Sequence, residues 1–113
     1  MKRGEVWTVA GGSDYAGKPR PAVILQDDAF DATLSVTICP FTTSQTEAPS
    51  LRPVVQPSDQ NGLRIERRLM VDKITTVSRT KVQSRVGRLS AGDLNRLDRS
   101  VLVFLGLTSS IGR

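Results

Sequence analysis

Three short segments of this 113-residue chain carry side chains suited to chemistry, and the chain contains no histidine. The first is Lys18-Pro19-Arg20-Pro21, where prolines on both sides restrict the backbone and present the Arg20 guanidinium from a stiff mount. A planar, permanently charged fork suits a phosphate or the charge that builds on one during transfer; the other reading is a pair with an acid of the adjoining loop. The second is Phe41-Thr42-Thr43-Ser44. If Phe41 points into a core, the pleat turns Thr42 the other way and holds its hydroxyl at the rim of a sheet. There it can donate to a phosphoryl oxygen, although as a nucleophile it lacks a base. The same run also reads as ordinary turn chemistry. The third is Asp72 beside Lys73 in Leu69-Met70-Val71-Asp72-Lys73-Ile74. A carboxylate in so apolar a run needs loop N–H groups or a basic side chain; contact with a ligand is the alternative.

Without imidazole, the commonest general acid and base and any His-rich zinc site are excluded. Chemistry is left to Arg, Lys, carboxylates, hydroxyls or the substrate itself. Cys39 is the single cysteine, so it closes no intramolecular disulfide, and its apolar neighbours Ile38 and Phe41 mark it as core rather than as a reactive thiolate. The 16 Lys and Arg outweigh 11 Asp and Glu, for a net charge of +5. Residues 1–60 hold five basic and seven acidic side chains, whereas residues 61–113 hold eleven and four. That asymmetry reads as one basic face for a polyanion, or as a solvated surface. The opening Met1-Lys2-Arg3-Gly4-Glu5 leads into no apolar run, so no secretory signal is expected. The longest apolar stretch, Val101 to Leu107, is far short of the ~20 residues that span a bilayer. A cytoplasmic setting with no membrane contact is the expectation.

These side chains need a frame. A first strand is expected from about residue 3 to 10, ended by Gly11-Gly12, with a loop from Gly11 to Pro19 that contains Tyr15. The continuous apolar run Pro21–Gln26 predicts a strand covered on both faces. Thr33 to Phe41 predicts another, with Leu34, Val36, Ile38 and Pro40 on one face and Pro40 ending it. A polar loop over 42–50, a short strand at Val54-Val55-Gln56 and a hairpin-type turn at Gln60-Asn61-Gly62 follow. Leu63 to Val77 predicts a strand or a pair of strands. Ser90 reads as an N-cap with Asp93 three residues on, Leu94, Leu97, Val101 and Leu105 form one apolar stripe, and Gly106 stops the helix. About 15 residues give ~22 Å of helix. Together these predict one domain over 1–113 of mainly β, α+β character: a partly open β-barrel closed by a C-terminal helix.

Six stretches in order resemble the MazF/PemK family of toxin endoribonucleases. They are Lys2-Arg3-Gly4-Glu5-Val6-Trp7, Gly17 through Gln26, Cys39-Pro40-Phe41-Thr42-Thr43-Ser44, Leu69 through Val77, Val86-Gly87-Arg88-Leu89-Ser90, and Phe104-Leu105-Gly106-Leu107. The resemblance implies an SH3-like barrel acting as a cytoplasmic homodimer, and metal-independent, sequence-specific cutting of single-stranded RNA without a cofactor. It also implies inhibition by a cognate antitoxin protein. By this resemblance Arg20 and Thr42 are the catalytic residues. Tyr15, as a stacking ring, and Lys18, Gln26, Thr43, Asp72 and Lys73, as polar contacts, are the expected RNA-binding residues; the other reading of Tyr15 is a ring packed over its own loop. Met70 stands where other members carry a basic residue, so that contribution is absent here. Asp14 lies close to the first-loop acid of many members, one position out of register.

The missing histidine then constrains the mechanism. The RNA 2′-hydroxyl is expected to attack the adjacent phosphorus while Arg20 stabilises charge on the phosphoryl oxygens and Thr42 donates to the same group. An arginine base conflicts with a guanidinium that stays protonated in proteins, so Asp14, a water or the substrate takes the first proton. The competing expectations are a non-catalytic barrel toxin that binds a protein target such as gyrase, and a basic nucleic-acid-binding module with no cleavage products.

Overall fold

The computed structural model describes residues 1–11, 18–45 and 51–108. Seven strands form one antiparallel sheet: β1 (Glu5–Val9), β2 (Arg20–Ile24), β3 (Ser35–Thr42), β4 (Val54–Val55), β5 (Arg67–Leu69), β6 (Thr75–Ser78) and β7 (Val82–Arg88). They lie in the order β4-β5-β3-β2-β1-β7, with β6 also paired to β3, and curl into a partly open barrel followed by the helix α1 (Ala91–Phe104). The architecture is the mainly β barrel with a closing helix that the sequence predicts.

β2 explains the sheet's position. Its apolar run is buried on both faces: Val23 packs with Val6, Cys39, Phe41 and Leu97, while Ala22 and Ile24 pack with Val9, Val36, Ile38 and Val82. Val23 and Ile24 each contribute about 1.5–3 kcal/mol by leaving water, which fixes β2 between β1 and β3.

β3 departs from expectation in two ways. Leu34 lies outside the strand and is 90% exposed, whereas Cys39 and Phe41, on the face opposite Val36 and Ile38, are buried. Pro40 does not end the strand, which runs on to Thr42. The reason is a change of partner. Residues Ser35–Ile38 pair with β6, and Phe41 and Thr42 pair with β5, so Pro40 sits at the switch. Its carbonyl accepts from Met70 N–H at 2.8 Å, and its lack of an N–H falls where no regular ladder runs.

The run Leu63–Val77 resolves into β5, a 3-10 turn at Val71–Lys73 and β6. Gln60-Asn61-Gly62 is not a two-residue hairpin, since residues 56–66 separate β4 from β5. Asn61 is buried instead and organises that loop: its Oδ1 accepts from Ser58 and Leu63 N–H at 3.0 and 2.9 Å, and its Nδ2 donates to Gln56 O at 2.9 Å. Gly62 follows at φ +73°, where a Cβ would lie 2.2 Å from Val86 O.

In α1, Ser90 Oγ accepts from Asp93 N–H at 3.1 Å, and Gly106 takes φ +69° past the end. Leu97 is buried, with Leu94 and Val101 packed beside it, but Leu105, the C-cap residue after Phe104, is 55% exposed. The sequence pattern predicts no strand at β7. It is held by pairing to β1 (Glu5↔Arg88, Val6↔Gly87), not by an apolar pattern of its own. No described helix is long and apolar enough to cross a membrane.

Candidate active site

Four chain segments converge because β3 lies between β2 and β5. β2 begins at Arg20, β3 ends at Thr42, β5 begins at Arg67, and the 3-10 turn after β5 ends at Lys73. Around them opens a cavity of about 420 Å3 lined by Arg20, Phe41, Thr42, Thr43, Arg67, Met70 and Lys73. A more apolar cavity of about 280 Å3 adjoins it and shares Arg20, Phe41, Met70 and Lys73.

Arg20 is exposed and stands opposite Val9 of β1. Pro21 lies beyond Ala22–Ile24, the part of β2 paired with β3, so the proline stiffens the mount without breaking that ladder. Phe41 is buried and Thr42 turns away from it, as the pleat requires. The Thr42 Oγ1 accepts from Ser44 N–H at 3.1 Å. That bond is the turn chemistry the Thr-Thr-Ser run predicts. It occupies one lone pair and leaves the hydroxyl proton free for an acceptor in the cavity.

Asp72 and Lys73 are neighbours with different fates. Asp72 receives Nε and Nη2 of Arg52 at 3.0 Å each, and this paired guanidinium holds its carboxyl below the usual carboxylate range. Lys73 lines the cavity. The residues expected to touch RNA therefore separate. Arg20, Thr42, Thr43 and Lys73 come together, whereas Asp72 sits in an ion pair outside the lining. Gln26 is used elsewhere: it donates to Phe30 O at 2.8 Å and accepts from Thr37 N–H at 2.9 Å, tying the β2–β3 connection beyond the end of β2 remote from Arg20. Lys18 is exposed ahead of β2 and lines neither cavity. Tyr15 and Asp14 lie outside the described residues.

Arg67 was not singled out from the sequence, yet it lines the cavity. The signal was available in Arg67-Arg68 leading into a buried strand, because adjacent strand residues point to opposite faces and one guanidinium must turn inward. Burial lowers the pKa of Arg67, and the charge of Arg20 lowers it further. No carboxylate lines the cavity among the described residues. Three cations and two hydroxyls, with no acid among the described lining residues, make an anion site, and their attachment to strand ends suits a phosphate. Cys39 lies in the core, where burial pushes its thiol up to about 12, so it is no nucleophile for this site.

Comparison with known proteins finds relatives of this chain by sequence and by fold. The probable endoribonuclease MazF of Mycolicibacterium smegmatis is 53% identical, over 95% of this chain and 98% of that protein. Endoribonuclease MazF9 of Mycobacterium tuberculosis is 29% identical over 96% and 99%. Among solved structures, a mycobacterial endoribonuclease in complex with its cognate antitoxin superposes with a TM-score of 0.77 at 20% identity, covering 96% of this chain and 97% of that one. A MazE-MazF structure from Deinococcus radiodurans gives 0.74 at 17% identity over 96% and 98%; at such identities the agreement speaks for the fold. The profile of PemK-like, MazF-like toxins of type II toxin-antitoxin systems matches residues 2–105, and the chain belongs to that family.

Proposed function

We propose that this chain is the toxin of a type II toxin-antitoxin system and cuts single-stranded RNA at short sequences. The observation that carries the reading is the meeting of Arg20 and Thr42, from the ends of β2 and β3, in one cavity whose described lining holds no carboxylate. The RNA supplies its own nucleophile. The 2′-oxygen forms a bond to the adjacent phosphorus as its proton leaves, the bond from phosphorus to the 5′-oxygen breaks, and that oxygen takes up a proton. Arg20 bears against the charge that grows on the phosphoryl oxygens, and the Thr42 hydroxyl donates to the same group. Thr43 and Lys73 hold the neighbouring backbone, and Tyr15 and Lys18 of the first loop meet the bases and phosphates that flank the cut.

The reading extends to partners. Relatives solved with their antitoxins support a cognate antitoxin for this chain, and family membership supports a homodimer working in the cytoplasm. Incubation with a long transcript followed by end mapping tests the activity: a few defined cut sites are expected, and intact RNA overturns the reading. An oligonucleotide carrying a single 2′-deoxy residue at the mapped site should bind and stay whole. If it is cut at the normal rate, attack by the 2′-hydroxyl is wrong.

A further inference from the structure

Arg67 reaches the cavity from the start of β5, a segment that supplies none of the residues assigned to RNA above. Its Nε is buried and has no hydrogen-bond partner among the described residues. A buried guanidinium N–H left unmatched is costly unless something arrives to accept from it. The neighbouring Arg20 makes the vacancy more costly, since its charge lowers the pKa of Arg67. Arg20 and Arg67 set two like charges on one cavity, and its described lining holds no acid.

We infer that Arg67 is a second catalytic cation, sharing with Arg20 the phosphoryl group that is cut. The inference rests on the proposed ribonuclease reading and adds to it a residue that touches the reacting group. It also answers the gap left by Met70, which lines the same cavity but carries no charge. The positive charge comes from three positions earlier on the chain, brought in by β5 and the turn after it.

Arg67→Gln and Arg67→Lys test it. Each should cut the mapped RNA ~10²-fold more slowly in single turnover, the usual loss when one donor to a developing oxyanion is removed. Binding of a 2′-deoxy-blocked oligonucleotide should fall less than ~10-fold in Arg67→Gln, with the salt slope smaller by about one contact. Wild-type cleavage by both variants overturns the inference. A methylphosphonate at the cut linkage of the blocked oligonucleotide should weaken wild-type binding and cost Arg67→Gln little more. Full additivity would place Arg67 on another phosphate and sink the shared clamp.

Folding is followed separately. Arg67→Met removes a partly buried, unmatched charge, so its melting temperature should hold or rise; a marked fall would make Arg67 a structural cation and overturn the role. Titration with inorganic phosphate, followed by the Arg67 Nε–H NMR signal, needs no cleavage at all. The signal should shift in the wild type and stay unmoved in Arg20→Gln. A shift in a protein that cuts no RNA would defeat the ribonuclease reading and leave the paired-cation site standing. Normal cleavage with no shift would defeat this inference alone.

Discussion

Two arginines reach the segment around residues 67–73, and the chain treats them in opposite ways. Arg52 meets Asp72 with two bonds of 3.0 Å, its side chain 15% exposed and that of Asp72 23%. Arg67 meets a cavity lined by Arg20 and Lys73 and finds no described carboxylate. The first charge is neutralised inside the fold and ties the segment after residue 50 to the turn at Val71–Lys73. The second is left for a ligand. The difference separates residues that hold the site from residues that act in it, although both sets are charged and lie close in sequence.

That separation can be broken at several points. The largest effect is expected for Arg20→Lys, which keeps the charge but loses the planar fork: cleavage should fall ~10³-fold while RNA binding falls only a few-fold, measured by single-turnover kinetics and titration. Undiminished cleavage would remove Arg20 from the chemistry. Thr42→Val deletes the hydroxyl at nearly constant shape and should slow cutting ~10²-fold, with a comparable melting temperature after loss of the Ser44 bond; wild-type rates would reduce Thr42 to its turn.

On the structural side, Arg52→Ala should cost about 2 kcal/mol in denaturant unfolding, as for a lost charge-assisted pair, with cleavage per folded molecule unchanged. Loss of activity in fully folded Arg52→Ala would collapse the distinction. The smallest effect is on pH dependence. The folded-state pKa of Asp72 is lowered, so its contribution to stability is complete above the ordinary carboxylate value of ~4 and is lost as pH falls below it. Acid unfolding followed by circular dichroism should therefore set in at higher pH in Arg52→Ala than in the wild type. Coincident curves would show that the pair contributes nothing.

The frame was legible where side-chain pattern decides structure. Pro21–Gln26 announces a doubly buried strand, and Ser90, Asp93 and Gly106 announce both ends of α1. It was illegible where a partner decides. Val82–Arg88 carries apolar side chains only at Val82 and Val86, yet forms a strand because β1 offers it an edge. Pro40 reads as a strand end and becomes a crossing point because β3 trades β6 for β5. The site follows the same rule. Arg20 and Thr42 are marked locally by the prolines and by the buried Phe41 beside them, whereas Arg67 depends on where β5 docks. Asp72 takes the basic partner its apolar run calls for, but that Arg52 supplies it is not displayed by local sequence, nor are the bonds of Gln26 within the β2–β3 connection.

The pairing of β1 with both β2 and β7 has a consequence for synthesis. β1 is made first, and its second neighbour leaves the ribosome more than seventy residues later. Until then the backbone edge of β1 that pairs with β7 in the finished sheet is open to any extended segment nearby. Slow translation before residue 82 would lengthen that exposure, and truncated products ending there should aggregate where the full chain does not.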